Sequence, residues 1–199
     1  MTKQIPEGVS REKIWDIGTR LFHWALVICV VAAWGLGKFG PNIMTLHFYF
    51  GYAVIALLVF RILWGLVGPA PVRFVNFIYG PGKTLKYAAT LKDRKPSYWP
   101  GHNPIGALSV FAILAILIAQ VSTGLFADPD DYINVGPLAD MVSSGTNRTA
   151  TRLHNQMSTV ILLLVLLHVA AILFYKRFKG ENLVTPMITG WKLVRKDRS

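Results

Sequence analysis

Apolar residues gather into four long blocks, separated by polar stretches that contain Gly and Pro: about Leu21 to Gly37, Ile43 to Val67, Ile105 to Phe126 and Leu153 to Tyr175. The blocks run nearly unbroken and lack the half-polar periodicity of a helix lying on a soluble core. As single helices, segments of this length cross the roughly 30 Å hydrocarbon layer of a bilayer. The pattern predicts an all-α integral membrane four-helix bundle, one domain over residues 1–199. The first block is longer than the h-region of a secretory signal and no small-x-small cleavage site follows it, so a retained span is expected.

Composition supports the class and charge adds an orientation. Hydrophobic residues make up 53% of the 199 positions and charged residues 16%, with a net charge of +11. The cations are unevenly placed. The N-terminal stretch, the loop from Gly68 to Pro104 and the tail after Tyr175 hold 17 of them, against Lys38, Arg148 and Arg152 on the other side and Arg61 inside a span. By the positive-inside rule both termini and the long middle loop are expected in the cytoplasm. This basic excess lies beside the spans, where topology and anionic lipid explain it, so the expected partner is the bilayer and not nucleic acid.

Four histidines fall within or at the edges of the spans. His154 and His168 are fourteen residues apart in one block, which on a helix is a rise of about 21 Å on one face. Ionisable side chains in lipid are costly and call for a function. Depth sorts the four into pairs: His23 and His168 near the cytoplasmic edge, His47 and His154 opening their helices at the outer edge. Two axial nitrogens per iron from different helices is the arrangement that two non-covalent, bis-His b-type haems require. Zinc would need three or four ligands at one level, which neither pair supplies. The lone Cys29 excludes internal disulfides, an iron-sulfur cluster held by this chain alone, and covalent haem attachment.

Other residues extend this picture. Arg61 follows His47 by fourteen positions, so it shares that face at the inner level, either to offset a haem propionate or to snorkel to the interface. Arg20 and Arg73 on the basic side, and Arg148 and Arg152 just before His154, are further candidate propionate partners. Gly37 and Gly51 put small residues where a macrocycle could approach backbone. Gln120, Ser122 and Thr123 read as helix-helix hydrogen-bonding residues.

The segments WDIGTRLFHW, LHFYFGYAVIALLVFRILWGLVG, VRFVNF, GHNPIGALSV and the histidine spacing that begins at RLHNQ resemble, in this order, the bacterial cytochrome b561 family, which includes the cytochrome b subunits of nickel-iron hydrogenases. The resemblance covers nearly the whole chain. It implies a multi-pass di-haem b protein of the bacterial inner membrane that passes electrons between quinone and a periplasmic partner, a c-type cytochrome or a hydrogenase-like complex. It maps haem ligation onto His23, His47, His154 and His168. The chain carries no extra domain, so the partner is expected to be another polypeptide or a diffusible molecule.

His102 lies in GHNPIG, where Asn103 reads as an N-cap and Pro104 as the first helical residue. It is either a proton carrier beside a quinone or an interfacial residue that fixes helix entry. The outer loop carries Asp128, Asp130, Asp131 and Asp140, a surface that could steer a basic carrier. Asn147-Arg-Thr149 matches a glycosylation sequon, of little meaning if the source is bacterial. Two other readings compete with electron transfer: a proton-relay transporter or channel subunit using the intramembrane His and Arg, and a structural subunit in which the histidines are incidental.

Overall fold

In a computed structural model, residues 5–40, 44–130 and 134–195 are described. The order is a short strand β1 (Val9–Lys13), α1 (Ile17–Phe39), α2 (Met44–Val67), a short α3 (Pro81–Ala89), α4 (Pro104–Leu125), α5 (Ser144–Phe174), α6 (Val184–Thr189) and a strand β2 (Trp191–Arg195). Of the described residues, 72% are helical. Helices α1, α2, α4 and α5 have the length and composition to cross a membrane. Many of their apolar side chains are exposed, among them Ile28, Val31, Leu63, Leu163 and Leu167. A helix apolar on all sides needs lipid to cover what its neighbours do not.

The predicted spans agree with these helices at most ends, although Ile43 lies outside the described residues. The fourth differs: α5 begins at Ser144, nine residues before Leu153. Hydropathy misses this polar start because its support is hydrogen bonding and packing. The Ser143 hydroxyl accepts the Thr146 backbone N–H at 3.3 Å as an N-cap, and Asn147 and Ala150 are buried. The Thr151 hydroxyl bonds the backbone of Asp128 at 2.9 and 3.0 Å. His154 is therefore the eleventh residue of its helix and does not open it. Past Phe174 the helix ends in one π turn, Tyr175–Lys179, closed by Gly180 in the left-handed conformation at φ +68°.

An all-α expectation also missed one element, the antiparallel pair β1–β2, with Val9 opposite Arg195 and Lys13 opposite Trp191. Two five-residue strands too short to stand alone pair because their chain ends meet. The same pairing brings the two strands together within one compact unit.

The contacts divide into two compact units. One comprises residues 1–23, 61–110 and 167–199. Its core is Ile14, Trp15, Val72 and Val194, with Trp64 and Met187 packed against it. Asp16 caps α1, accepting the Thr19 backbone N–H at 3.0 Å and the Trp64 indole N–H at 3.2 Å. Two of its buried cations have close partners: Lys192 and Glu181 pair at 3.2 Å, and Lys179 donates to the carbonyls of Thr90 and Asp93, each at 3.0 Å. The other unit comprises residues 24–60 and 111–166, with Val54, Leu58, Leu114, Leu117 and Ile161 buried inside it.

Candidate functional site

In the second unit His47 and His154 come together, with ring centres 6.0 Å apart and planes at 80°. Each imidazole is held by a neighbouring helix in the same way. His47 Nδ1–H donates to the Ala33 carbonyl at 2.8 Å, and four residues on, at Gly37, a Cβ would stand 3.1 Å from the ring. His154 Nδ1–H donates to the Gln120 carbonyl at 2.9 Å, and four residues on, at Gly124, a Cβ would stand 2.8 Å from Cε1. A carbonyl only accepts, so both rings carry their proton on Nδ1 and present Nε2 as a base. His154 Nε2 takes the Gln120 amide N–H at 3.2 Å.

A first-row metal–imidazole bond is about 2 Å, so two imidazoles sharing one ion place their ring centres roughly 6 Å apart. The observed spacing fits that bridge. Open space beside the rings amounts to about 210 Å³ and is bordered by Gly37, Gly51 and Gly124. This is less than the roughly 300–1,000 Å³ of most cofactor pockets, so a macrocycle seats there only as lining side chains turn aside. Gly51 has nothing within 4 Å of where a Cβ would be, whereas Gly37 is filled by the His47 ring and not left to a macrocycle. Among the described residues, no three His, Cys, Asp or Glu gather at one point.

In the first unit His23 on α1 and His168 on α5 lie close enough for the charge of one to act on the other. Arg61 is enclosed, 4% exposed. It donates to the Val72 carbonyl at 3.2 Å, lies 4.5 Å over the Phe74 ring and feels the Asp16 carboxylate. Its buried Nη1 has no hydrogen-bond partner among the described residues. Arg20 bonds the Ile188 carbonyl and keeps a buried Nε without such a partner. Arg73, Arg148 and Arg152 are exposed. Because the polar start of α5 is helical, Arg152 stands about 200° around the axis from His154.

His102 sits between two aromatic rings, with centres 4.7 Å from both Trp15 and Phe77. Burial, then the nearby charges of Arg61, Lys192 and His168, lowers its pKa to about 3. Burial thus favours the neutral imidazole. Its backbone carbonyl accepts the Tyr79 hydroxyl at 2.9 Å. Asn103 behaves as its sequence position predicts: Oδ1 caps α4 at the Gly106 N–H (2.8 Å) and Nδ2 donates to the Tyr175 hydroxyl (3.1 Å), itself 2.8 Å from the Tyr87 hydroxyl.

Sequence reasoning missed the carbonyls of Ala33 and Gln120 and the role of Gly124. The available signal was the repeated spacing, a glycine four residues after each carbonyl. Gln120 does bond across helices, to His154, whereas the Thr123 hydroxyl bonds back to Ala119 and Gln120 on its own helix. Asp131 lies outside the described residues.

The chain matches the family described as prokaryotic cytochrome b561 over residues 14–190. It is 23% identical over 235 residues to the probable Ni/Fe-hydrogenase 1 B-type cytochrome subunit of Escherichia coli (strain K12), covering 99% of this chain and 100% of that protein. It is 21% identical over 237 residues to the probable Ni/Fe-hydrogenase B-type cytochrome subunit of Azotobacter chroococcum mcd 1, covering 100% and 98%. With four apolar helices and paired histidines inside them, a match over nearly the full length makes the chain a member of the prokaryotic cytochrome b561 family.

Proposed function

We propose that this protein is a di-haem b-type cytochrome that moves electrons across the bacterial inner membrane between the quinone pool and a periplasmic redox partner. The coarser part follows from the family: membrane electron transfer by a protein that holds haem b. The finer part rests chiefly on one observation, the 6.0 Å spacing of His47 and His154 with both Nδ1 atoms tied to backbone carbonyls. When bound, haem b supplies reversible one-electron oxidation and reduction at its iron.

The chain's part is to hold and tune. His47 and His154 would ligate the outer haem and His23 and His168 the inner one. The carbonyls of Ala33 and Gln120 fix the tautomer of the outer imidazoles and raise their basicity. Arg61 would use its buried Nη1 to offset a propionate of the inner haem. The names of the relatives make a hydrogenase-type complex the favoured class of partner.

Visible and low-temperature spectra of the purified holoprotein test the reading. Two low-spin b haems are expected in the wild type. One should be lost on His23→Ala or His168→Ala, and the other on His47→Ala or His154→Ala. A folded, colourless wild-type protein would end the proposal, and two intact low-spin haems in His154→Ala would end the ligand assignment.

A further inference from the structure

In the first unit a cleft of about 730 Å³ opens between α3, the loop that follows it and the chain's C-terminal segment. It takes no part in the histidine sites. Among the described residues, five cations line it, Lys83, Lys86, Lys95, Lys179 and Arg195, against the carboxylate of Asp93. The lining therefore favours an anion.

The walls are built before any ligand arrives. Trp99 Nε1 donates to the Tyr79 hydroxyl at 3.1 Å, which donates in turn to the His102 carbonyl at 2.9 Å. Lys83 Nζ rests over both of these rings, 4.8 Å from Tyr79 and 5.7 Å from Trp99, so its reach into the cleft is partly fixed. On the floor, Lys179 is 3% exposed and spends two of its three N–H groups on carbonyls, leaving one. Tyr98, between lining residues Ser97 and Trp99, adopts φ +47°, a strained conformation held by the Arg195 N–H on its carbonyl at 3.0 Å.

The apolar surroundings point to the source of that anion. Val75, Ile78 and Leu85 are 74, 66 and 71% exposed on the same segment that supplies Asn76, Tyr79, Lys83 and Lys86 to the cleft. Large apolar side chains beside lysines, tyrosine and tryptophan, on a short helix and the segments that flank it, are what the headgroup layer accommodates. A soluble phosphate uses the cations and leaves the apolar rim without purpose. A phospholipid uses both.

We propose that this cleft is a binding site for the headgroup of an anionic phospholipid, its phosphate among Lys83, Lys86 and Lys95 and its acyl chains against Val75, Ile78 and Leu85. The test uses haem-loaded full-length protein in nanodiscs of equimolar phosphatidylglycerol and phosphatidylcholine, with retained lipid read by native mass spectrometry. Wild type should retain phosphatidylglycerol over phosphatidylcholine by about tenfold. Lys83→Gln/Lys86→Gln/Lys95→Gln should bring the ratio near one. Lys13→Gln/Lys92→Gln/Lys176→Gln, which removes equal charge from exposed positions outside the cleft, should leave it unchanged. Lys83→Gln alone should lower it part-way, a readout that stands even if the triple cleft variant is unstable. Three results would each overturn the proposal: a preference intact in the cleft variants, an equal fall in the control, or displacement of the retained lipid by inorganic phosphate, which would make the site one for soluble anions.

Discussion

Replacing Gly124 with alanine sets a methyl carbon 2.8 Å from His154 Cε1 and 3.0 Å from Nδ1. At an unobstructed helical position the exchange stabilises by about 1 kcal/mol, because alanine has less backbone freedom to lose. At Gly124 the methyl collides with a ring whose least costly escape is rotation about its own side-chain bonds. That rotation breaks the hydrogen bond to the Gln120 carbonyl, a loss of about 0.5–1.5 kcal/mol. The two effects nearly cancel, so global stability should move by less than about 1 kcal/mol. The haem should respond differently, since losing an outer-shell hydrogen bond typically costs about 10–100-fold in metal-site affinity. The assay pairs haem-to-protein ratio and redox titration with thermal unfolding. Gly124→Ala should fold normally and lose the outer haem when haem is limiting. Any haem it retains should show a raised potential, because an imidazole without its carbonyl partner supports ferric iron less well. Gly35→Ala is the matched control: nothing lies within 4 Å of its added Cβ, and Gly35 is not on the cavity wall. It should keep both haems and gain stability. A Gly124→Ala protein that behaves like Gly35→Ala in all three measurements would refute the carbonyl-and-glycine account of the site.

Arg61→Leu removes a buried cation while keeping the span apolar, so the inner haem's potential should fall; full haem content with both potentials unchanged would confine Arg61 to its contacts with Val72, Phe74 and Asp16. Burial alone would raise the Asp16 pKa, but hydrogen bonds from the Thr19 side chain and backbone and from Trp64 hold it below the usual 3.8. A folded-state value below the unfolded one stabilises above the unfolded value and ceases to as pH falls through the folded one. Asp16→Asn keeps the cap acceptor but loses the charge, so it should lower stability by roughly 0.3–1 kcal/mol at neutral pH, and its gap to wild type in unfolding scans should close below about pH 4; a gap that widens in acid would contradict this. If Asp128, Asp130, Asp131 and Asp140 steer a diffusible basic carrier, electron transfer to it should slow with salt and in the fourfold Asn variant. A flat salt profile with an unaffected variant would instead indicate a permanently bound partner.

The four spans were legible in the sequence because the requirement that defines them is local: a helix in lipid satisfies its own backbone, so an apolar run of sufficient length identifies itself. The histidines were legible for a related reason, since helical geometry turns a fourteen-residue interval into a shared face without reference to other helices. The N-cap at Asn103 is likewise local, since it needs only the Gly106 N–H three residues on. What neighbouring helices contribute had no such signature. Nothing along α5 tells that His154 leans on the Gln120 carbonyl over Gly124, because those residues lie on α4, thirty or more positions away in sequence. The polar first turns of α5 were missed because hydrogen bonds to Asp128, and not hydropathy, hold them in place. His102 was ambiguous until packing put it between Trp15 and Phe77, where the cost of burying charge keeps it neutral. Pairing of β1 with β2 and the five-cation cleft arise from segments far apart in the chain, and only tertiary structure brings them together.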